Sequence, residues 1–165
     1  AAGLSPDVAS VASLFVSRWD VAVAGKLPAE LHMKLGIAVG QQAYKAYGDF
    51  LTSARCRRVM NEGAVPQRLL LASTGTKNAA YSDVMYVESL IGSETINTVP
   101  DATLAAFRDH GKAEPTLEAD IDAAKKQFAA LHSFGIDMDA AGETLQAEGL
   151  KQFEDSFRQL LALTA

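Results

Sequence analysis

The residues best suited to chemistry form a short polar loop, Ser73 to Lys77, directly after an apolar run. Ser73, Thr74 and Thr76 carry hydroxyl groups that can donate hydrogen bonds to a ligand. Gly75 lets the backbone approach a ligand closely, and Lys77 adds a mobile positive charge. A loop of this composition is suited to binding an anion, and the lysine favours a phosphate.

Polar residues also follow or end two other apolar runs. Ser17 and Arg18 follow the first run of the chain, and Asn97 lies in the third. The carboxyl ends of parallel strands meet at one edge of a sheet, so these groups are predicted to converge with Ser73 and Lys77. An arginine can hold a phosphate through two hydrogen bonds, whereas amide and hydroxyl groups suit sugar hydroxyls. The pattern therefore predicts a site for a phosphorylated small molecule.

Each cation also has a plainer interpretation that the sequence leaves open. Arg18 would equally fit a surface ion pair with Asp20, and Lys77 would fit a solvated loop. Lys77 also invites the hypothesis of a Schiff-base nucleophile, because a lysine in a dry cationic pocket performs that chemistry. Its place in a polar loop favours the phosphate role instead.

The elements that must position these residues alternate between strands and helices. Strands are predicted over 11–16, 69–72 and 95–99, and helices over 28–47, 50–61, 79–91, 101–107 and most of the chain from 115 onward. This order is typical of a parallel α/β sheet, and no linker divides residues 1–165, so one domain is predicted. Residues 1–6 are small and turn-like.

Three short parallel strands make a narrow sheet with two unpaired edges. Such a sheet would expose much apolar surface unless further strands joined it. The chain is therefore predicted to be part of a closed structure.

Composition limits the partners and the compartment. The 165 residues carry a net charge of −5 and a pI near 5.1, which argues against a nucleic acid or an anionic membrane as partner. The single cysteine, Cys56, cannot form an internal disulfide, and three scattered histidines show no zinc spacing and no obvious partner. No apolar run reaches the length of a membrane span. A cytoplasmic protein without a metal is predicted.

Four segments of the chain resemble signatures of bacterial transaldolases. They read SVASLFVSR at 10–18, LASTGTKN at 71–78, TINTVPDATL at 95–104 and GLKQFE at 149–154. The resemblance implies a partial TIM (β/α)8 barrel in which the three strands are the sixth to eighth, followed by a helical C-terminus. Transaldolases belong to the pentose phosphate pathway and transfer a dihydroxyacetone unit between sugar phosphates through a lysine Schiff base, with no cofactor or metal.

The resemblance also assigns roles to individual residues. It implies that Arg18 and Ser73 hold the substrate phosphate with Lys77 beside them. Ser17 and Asn97, from their places at the strand ends, are expected to line the substrate. The Schiff-base lysine and the acidic proton-transfer residues of the family belong to earlier strands, so no catalytic residue is expected in this chain. The expected partner is then the N-terminal half of the same barrel.

Alternative functions stay open at this stage. One is a non-catalytic half-barrel that binds sugar phosphates or self-associates, because closure would cover its open strand edges. The other is a helix-rich structural module without activity. Three departures from the family pattern, Trp19, Leu71 and Ala79, leave the sugar preference open.

Overall fold

A computed structural model describes residues 5–119 and 121–164 of the chain, so most of the predicted turn at 1–6 lies outside the described residues. Strands and helices alternate through the first two thirds, and helices follow. The elements are β1 Val11–Phe15, α1 Val16–Val23, α2 Leu35–Thr52, α3 Ala54–Asn61, β2 Arg68–Ala72, α4 Met85–Ser89, β3 Thr95–Asn97, α5 Asp101–His110, α6 Ile121–Ser133 and α7 Met138–Thr164.

The strands form one parallel sheet in the order β1-β2-β3. Leu71 of the central strand pairs with Leu14 on one side and with Asn97 on the other. The predicted α/β fold with three parallel strands is confirmed, and it is consistent with part of a TIM barrel.

The hydrophobic core lies on β2 and between the helices that cover it. Leu71 is fully buried and clusters with side chains of α1, α4 and the segment before α6; the members are Val16, Leu69, Leu71, Tyr86, Leu90 and Leu117. A second cluster joins α1 and α2 to α6, and its members are Val23, Leu27, Leu35, Leu131 and Ile136. Apolar burial of this kind is the main stabilising contribution to such a fold.

The first predicted strand is shorter and less buried than expected. It ends at Phe15, and α1 begins at once with Val16, so Ser17 and Arg18 occupy the first turn of a helix. The residues at the start of β1 are exposed, because the strand pairs with β2 alone among the described residues. A run of apolar residues does not reveal which edge of the sheet a strand occupies.

Two predicted helices begin later than their apolar pattern suggests. In place of a helix over 28–47, a 3₁₀ turn at Ala29–Leu31 precedes α2. In place of a helix over 50–61, Ser53 adopts extended backbone angles and its Oγ accepts a hydrogen bond of 3.2 Å from the Cys56 N–H, which caps α3. Serine favours such caps over helix interiors, so it divides the pattern.

The helix predicted over 79–91 is reduced to α4. Asn78 Oδ1 accepts a hydrogen bond of 3.0 Å from the Ala80 N–H, and Ser82 Oγ accepts one of 3.4 Å from the Val84 N–H. Side chains that bond their own backbone compete with helix formation. The segment after Lys77 is therefore a series of turns before α4.

Two kinds of feature are absent from the described parts of the chain. Across 5–119 and 121–164, no helix combines the length and apolarity needed to cross a bilayer. In the same residues, no group of three or more His, Cys, Asp or Glu side chains is arranged to hold a metal ion.

Candidate functional site

The β1–α1 junction and the loop after β2 are joined by a backbone hydrogen bond. The Ser17 N–H donates to the Ser73 carbonyl over 3.2 Å. Ser73 itself has a φ of 55°, a left-handed conformation that a serine adopts only when its surroundings impose it. The carboxyl ends of β1 and β2 thus present their polar residues side by side, as the α/β pattern predicts.

A cleft of about 740 Å³ opens between α1 and α7 and contains three of the predicted site residues. Ser17, Arg18 and Lys77 lie on its wall together with Lys26 of the segment after α1. The three cations outnumber the two carboxylates of the lining, Asp137 and Glu148, so the cleft keeps a slight positive charge on a chain whose net charge is negative. Such a local field suits a small anion even though the whole protein would repel one.

The opposite wall of the cleft comes from α7 and the turn before it. Thr144, Glu148 and Gln152 supply hydroxyl, carboxylate and amide groups, and Asp137 adds a second carboxylate. The interpretation of the sequence missed all of them as site residues. The segment 149–154 could have indicated this wall, because it resembles a family signature. No role had been assigned to that signature.

Arg18 is half-buried, and its guanidinium lies against an aromatic ring. Its Cζ atom is 4.6 Å from the centroid of the Phe15 ring, which is a cation–π geometry. Within 5–119 and 121–164 it has no hydrogen-bond or ion-pair partner, so its donors are available to a ligand.

The alternative of a surface ion pair between Arg18 and Asp20 is wrong. Asp20 is only 4% exposed, and its carboxylate accepts hydrogen bonds from the N–H groups of Leu35 and Gly36 at 2.9 and 3.1 Å and from the Tyr86 hydroxyl at 2.8 Å. Burial raises the pKa of Asp20, and these hydrogen bonds oppose that shift. The carboxylate caps the start of α2 and leaves Arg18 free.

Ser73 and Asn97 do not lie on this cleft. Asn97 Oδ1 accepts a hydrogen bond of 2.7 Å from the hydroxyl of Thr74, a residue that is fully buried. In the same loop, Thr76 Oγ1 is buried and has no hydrogen-bond partner in the described part of the chain. Lys77 is exposed. The loop therefore directs its residues to different surroundings, and only Lys77 reaches the wall beside Arg18.

The lysines of this chain lie in water-accessible positions. Each is exposed or half-buried, Lys77 included. A Schiff-base lysine is activated by a dry or strongly cationic environment. The cleft can therefore bind an anion and a polar chain, but it offers no desolvated amine for covalent chemistry.

Comparison with known proteins gives a consistent family. Residues 1–164 match the sequence model of the family described as Transaldolase/Fructose-6-phosphate aldolase. A protein named Transaldolase from Neisseria meningitidis serogroup A / serotype 4A is 47% identical over 152 residues, which cover 92% of this chain and 43% of that protein. Proteins of the same name are 47% identical over 160 residues in Thiobacillus denitrificans and 43% identical over 167 residues in Frankia alni. These matches cover 93% and 96% of this chain and 45% of each relative, so the chain spans somewhat under half the length of its curated relatives.

Proposed function

Because this chain belongs to the transaldolase/fructose-6-phosphate aldolase family, we propose that it supplies the phosphate-binding side of a transaldolase active site. The complete enzyme would transfer a dihydroxyacetone unit between sugar phosphates through a lysine Schiff base. The N-terminal half of the same barrel would contribute that lysine and the acidic proton-transfer residues. The chain alone would bind substrate without converting it.

The observation that carries this proposal is the free guanidinium of Arg18 in a cleft that also holds Lys77. Arg18 is half-buried and has no anionic partner among the residues that the structure describes, so its bidentate donors are unused there. Lys77 lines the same cleft and adds charge without fixed geometry. Together they suit a phosphate monoester with two negative charges.

Polar neighbours would complete the substrate site. Ser17 lines the cleft beside Arg18, and Ser73 is held next to Ser17 by the backbone hydrogen bond. Thr76 keeps a hydroxyl group without a partner in the described residues. Ser73 does not line the cleft, and we assign it to the phosphate because the family resemblance implies that role; Ser17, which does line the cleft, is assigned to the sugar chain. Asn97 accepts the Thr74 hydrogen bond through Oδ1, so its amide N–H groups would be the ones to serve the substrate.

Ligand binding to the isolated chain tests the proposal. Inorganic phosphate and fructose 6-phosphate should each raise its melting temperature, whereas fructose should not, because stabilisation follows affinity for the folded state. Arg18→Ala should weaken binding of both anions by about tenfold or more, the effect of losing a charged hydrogen bond. Arg108→Ala is the matched control, since Arg108 is exposed on α5 and does not line the cleft. Equal affinities of the wild-type chain and Arg18→Ala would refute the phosphate site.

Trapping with borohydride tests whether the Schiff-base lysine lies outside this chain. Incubation of this chain with fructose 6-phosphate and borohydride should leave every lysine unmodified, because none lies in a dry environment. Mass spectrometry of the treated chain provides the measurement. An adduct on Lys77 would show that its role has been misassigned.

A second candidate function rests on the exposed edges of the molecule. β1 and the C-terminal half of α7 expose apolar residues, among them Val11, Phe157 and Leu161. These surfaces favour a half-barrel that self-associates instead of meeting an N-terminal half. Its oligomeric state distinguishes it from the first proposal.

A further inference from the structure

We propose that Gly149 and Phe153 of α7 position the guanidinium of Arg18 for its ligand, an inference that rests on the phosphate-binding role proposed above. Both residues belong to the segment 149–154, which resembled a family signature but received no function. Phe153 contacts the ring beneath Arg18, Gly149 lies close to the guanidinium itself, and neither is expected to contact the reacting atoms. They are positioning residues.

The first contact is between α7 and the ring that supports Arg18. The rings of Phe153 and Phe15 meet edge to face, with centroids 6.2 Å apart and planes inclined by 62°. The same Phe15 ring carries the guanidinium of Arg18 at 4.6 Å. Because the edge of an aromatic ring is positive and its face is negative, Phe153 fixes the orientation of the ring whose face attracts the cation.

The second feature is the close approach of Arg18 to α7 at Gly149. A Cβ atom built on Gly149 would lie 3.5 Å from Arg18 Nη1, which is ordinary van der Waals contact. An alanine would therefore just touch the guanidinium, whereas a longer side chain would extend into the space that the cation occupies. The absence of a side chain at Gly149 lets Arg18 remain over Phe15.

The spacing of glycines along α7 supports this reading. Gly142 and Gly149 are seven residues apart, so they lie on the same face of the helix after two turns. A Cβ atom on Gly142 would lie 3.3 Å from Trp19 Cη2. Two successive residues of α1, Arg18 and Trp19, are thus approached closely by α7 at glycine positions.

The consequence for binding is pre-organisation. A free arginine side chain has many rotamers, and ordering it on a ligand costs entropy. Arg18 has no hydrogen bond to hold it in the described residues, so its place is set by its contact with the Phe15 ring and by the space that Gly149 leaves open on α7. Loss of either contact should leave the charge present but badly placed, and the affinity for phosphate should fall.

Gly149→Leu and Phe153→Leu test the inference on the intact chain, with binding of inorganic phosphate and of fructose 6-phosphate measured by calorimetry. Each variant should weaken binding by about fivefold to tenfold, less than or equal to the loss from Arg18→Ala. Gly149→Leu should keep or raise the melting temperature, because leucine favours a helix over glycine. A merely structural role would lower stability and leave affinity unchanged, so the two readouts separate the roles.

Matched variants control for the substitutions themselves. Gly48→Leu places the same change in α2, where a Cβ atom meets nothing within 4 Å, and should not alter binding. Phe157→Leu changes an exposed phenylalanine one turn beyond Phe153 and should also bind normally. Phe153→Tyr retains the ring and should restore the affinity that Phe153→Leu loses.

The outcomes distinguish this inference from the proposed function. If Arg18→Ala abolishes binding while Gly149→Leu and Phe153→Leu bind like the wild-type chain, the positioning role is refuted and the phosphate site stands. If Arg18→Ala binds normally, both are refuted. Should Gly149→Leu fail to fold, Phe153→Leu against Phe153→Tyr still decides the question.

Discussion

Asp20 is the buried carboxylate at which three helices meet. It lies in α1, caps the start of α2 through Leu35 and Gly36, and accepts the hydroxyl hydrogen bond of Tyr86 in α4. A negative charge at a helix N-terminus is favoured by the helix dipole. Since Asp20 is two residues after Arg18, this junction also fixes the helix that carries the proposed phosphate ligand.

Tyr86→Phe tests how much the Tyr86 hydroxyl contributes to the stability of this junction. Burial and the nearby Asp20 carboxylate raise the pKa of Tyr86, so its hydroxyl stays a donor at neutral pH. Its removal leaves a buried carboxylate with one partner fewer and should lower the free energy of unfolding by about 1–3 kcal/mol. Urea denaturation measures the loss. Tyr81→Phe is the control, because no side-chain hydrogen bond of Tyr81 is present in the described chain. An equal loss of stability in both variants would contradict the prediction.

His110 is paired at the end of α5, contrary to the expectation of a histidine without a partner. Its Nε2 atom is 2.9 Å from Asp83 Oδ1, and its Nδ1 atom is 3.2 Å from Asp109 Oδ2. The hydrogen bond to Asp83, followed by that to Asp109, raises the pKa of His110 above its ordinary value of 6.5. The stabilisation from the charged histidine is therefore complete below pH 6.5 and is lost as the pH rises through the higher pKa of the folded state.

His110→Gln should remove this pH dependence. The melting temperature of the wild-type chain should exceed that of the variant at about pH 5.5, and the difference should shrink as the pH rises through the raised pKa of His110 in the folded state. Because the group is exposed, the effect should be small and should weaken in high salt. A difference that grows with pH would have the wrong sign for this interaction.

At the scale of residues, the sequence indicated which side chains would lie close together only where they follow strand ends, and the binding roles assigned to them stay predictions. Arg18, Ser17 and Lys77 reach one cleft because they follow the carboxyl ends of neighbouring parallel strands, which a single sequence can indicate. The burial of Asp20 could not be predicted, because its partners lie fifteen to sixty-six residues away along the chain. The turn of Asn97 towards Thr74 is likewise a tertiary contact, and its proposed substrate role stays a prediction.

At the scale of elements, α1 and α2 pack so closely that Gly36 admits no side chain. A Cβ atom there would lie 2.5 Å from the Val16 carbonyl oxygen and 2.6 Å from Asp20 Oδ2. Gly36→Ala should therefore destabilise the chain by about 1–3 kcal/mol despite a helix-propensity gain of about 1 kcal/mol. Gly48→Ala, in the open part of the same helix, should stabilise it by up to about 1 kcal/mol. Denaturant unfolding of both variants is the measurement, and changes of the same sign would show that the close approach has no energetic effect.

Element types were easier to predict than element ends. The α/β order and the three parallel strands followed from apolar runs separated by helical spacing, and both are confirmed. The start of α2 was missed because its cap comes from Asp20 on another helix. The helix over 79–91 was overestimated because side chains such as Asn78 form local turns instead. Ends of this kind depend on individual hydrogen bonds and not on periodicity.

At the scale of the whole molecule, the sheet and the last helix have uncovered apolar surfaces. Among the described strands, β1 and β3 each pair only with β2, so the sheet has two open edges. The C-terminal half of α7 carries Phe157 and Leu161 with 60% and 51% of their surfaces exposed. Open edges and contiguous apolar patches are surfaces that proteins normally cover. In the first proposed function the N-terminal half of the barrel would cover these surfaces. In the second, another copy of this chain would cover them.

The isolated chain is therefore expected to self-associate, and the double variant Phe157→Glu, Leu161→Glu should shift it towards monomer. Sedimentation velocity from about 5 to 200 μM should show mass rising with concentration for the wild-type chain, a range typical of weak apolar association. The variant should retain its melting temperature, because neither side chain is buried. Adding an N-terminal half-barrel should replace the self-associated species by a one-to-one complex if the transaldolase proposal is right. Persistence of the self-associated form would favour the half-barrel function. If instead the wild-type chain stays monomeric at every concentration and phosphate does not change its melting temperature, the half-barrel function is excluded.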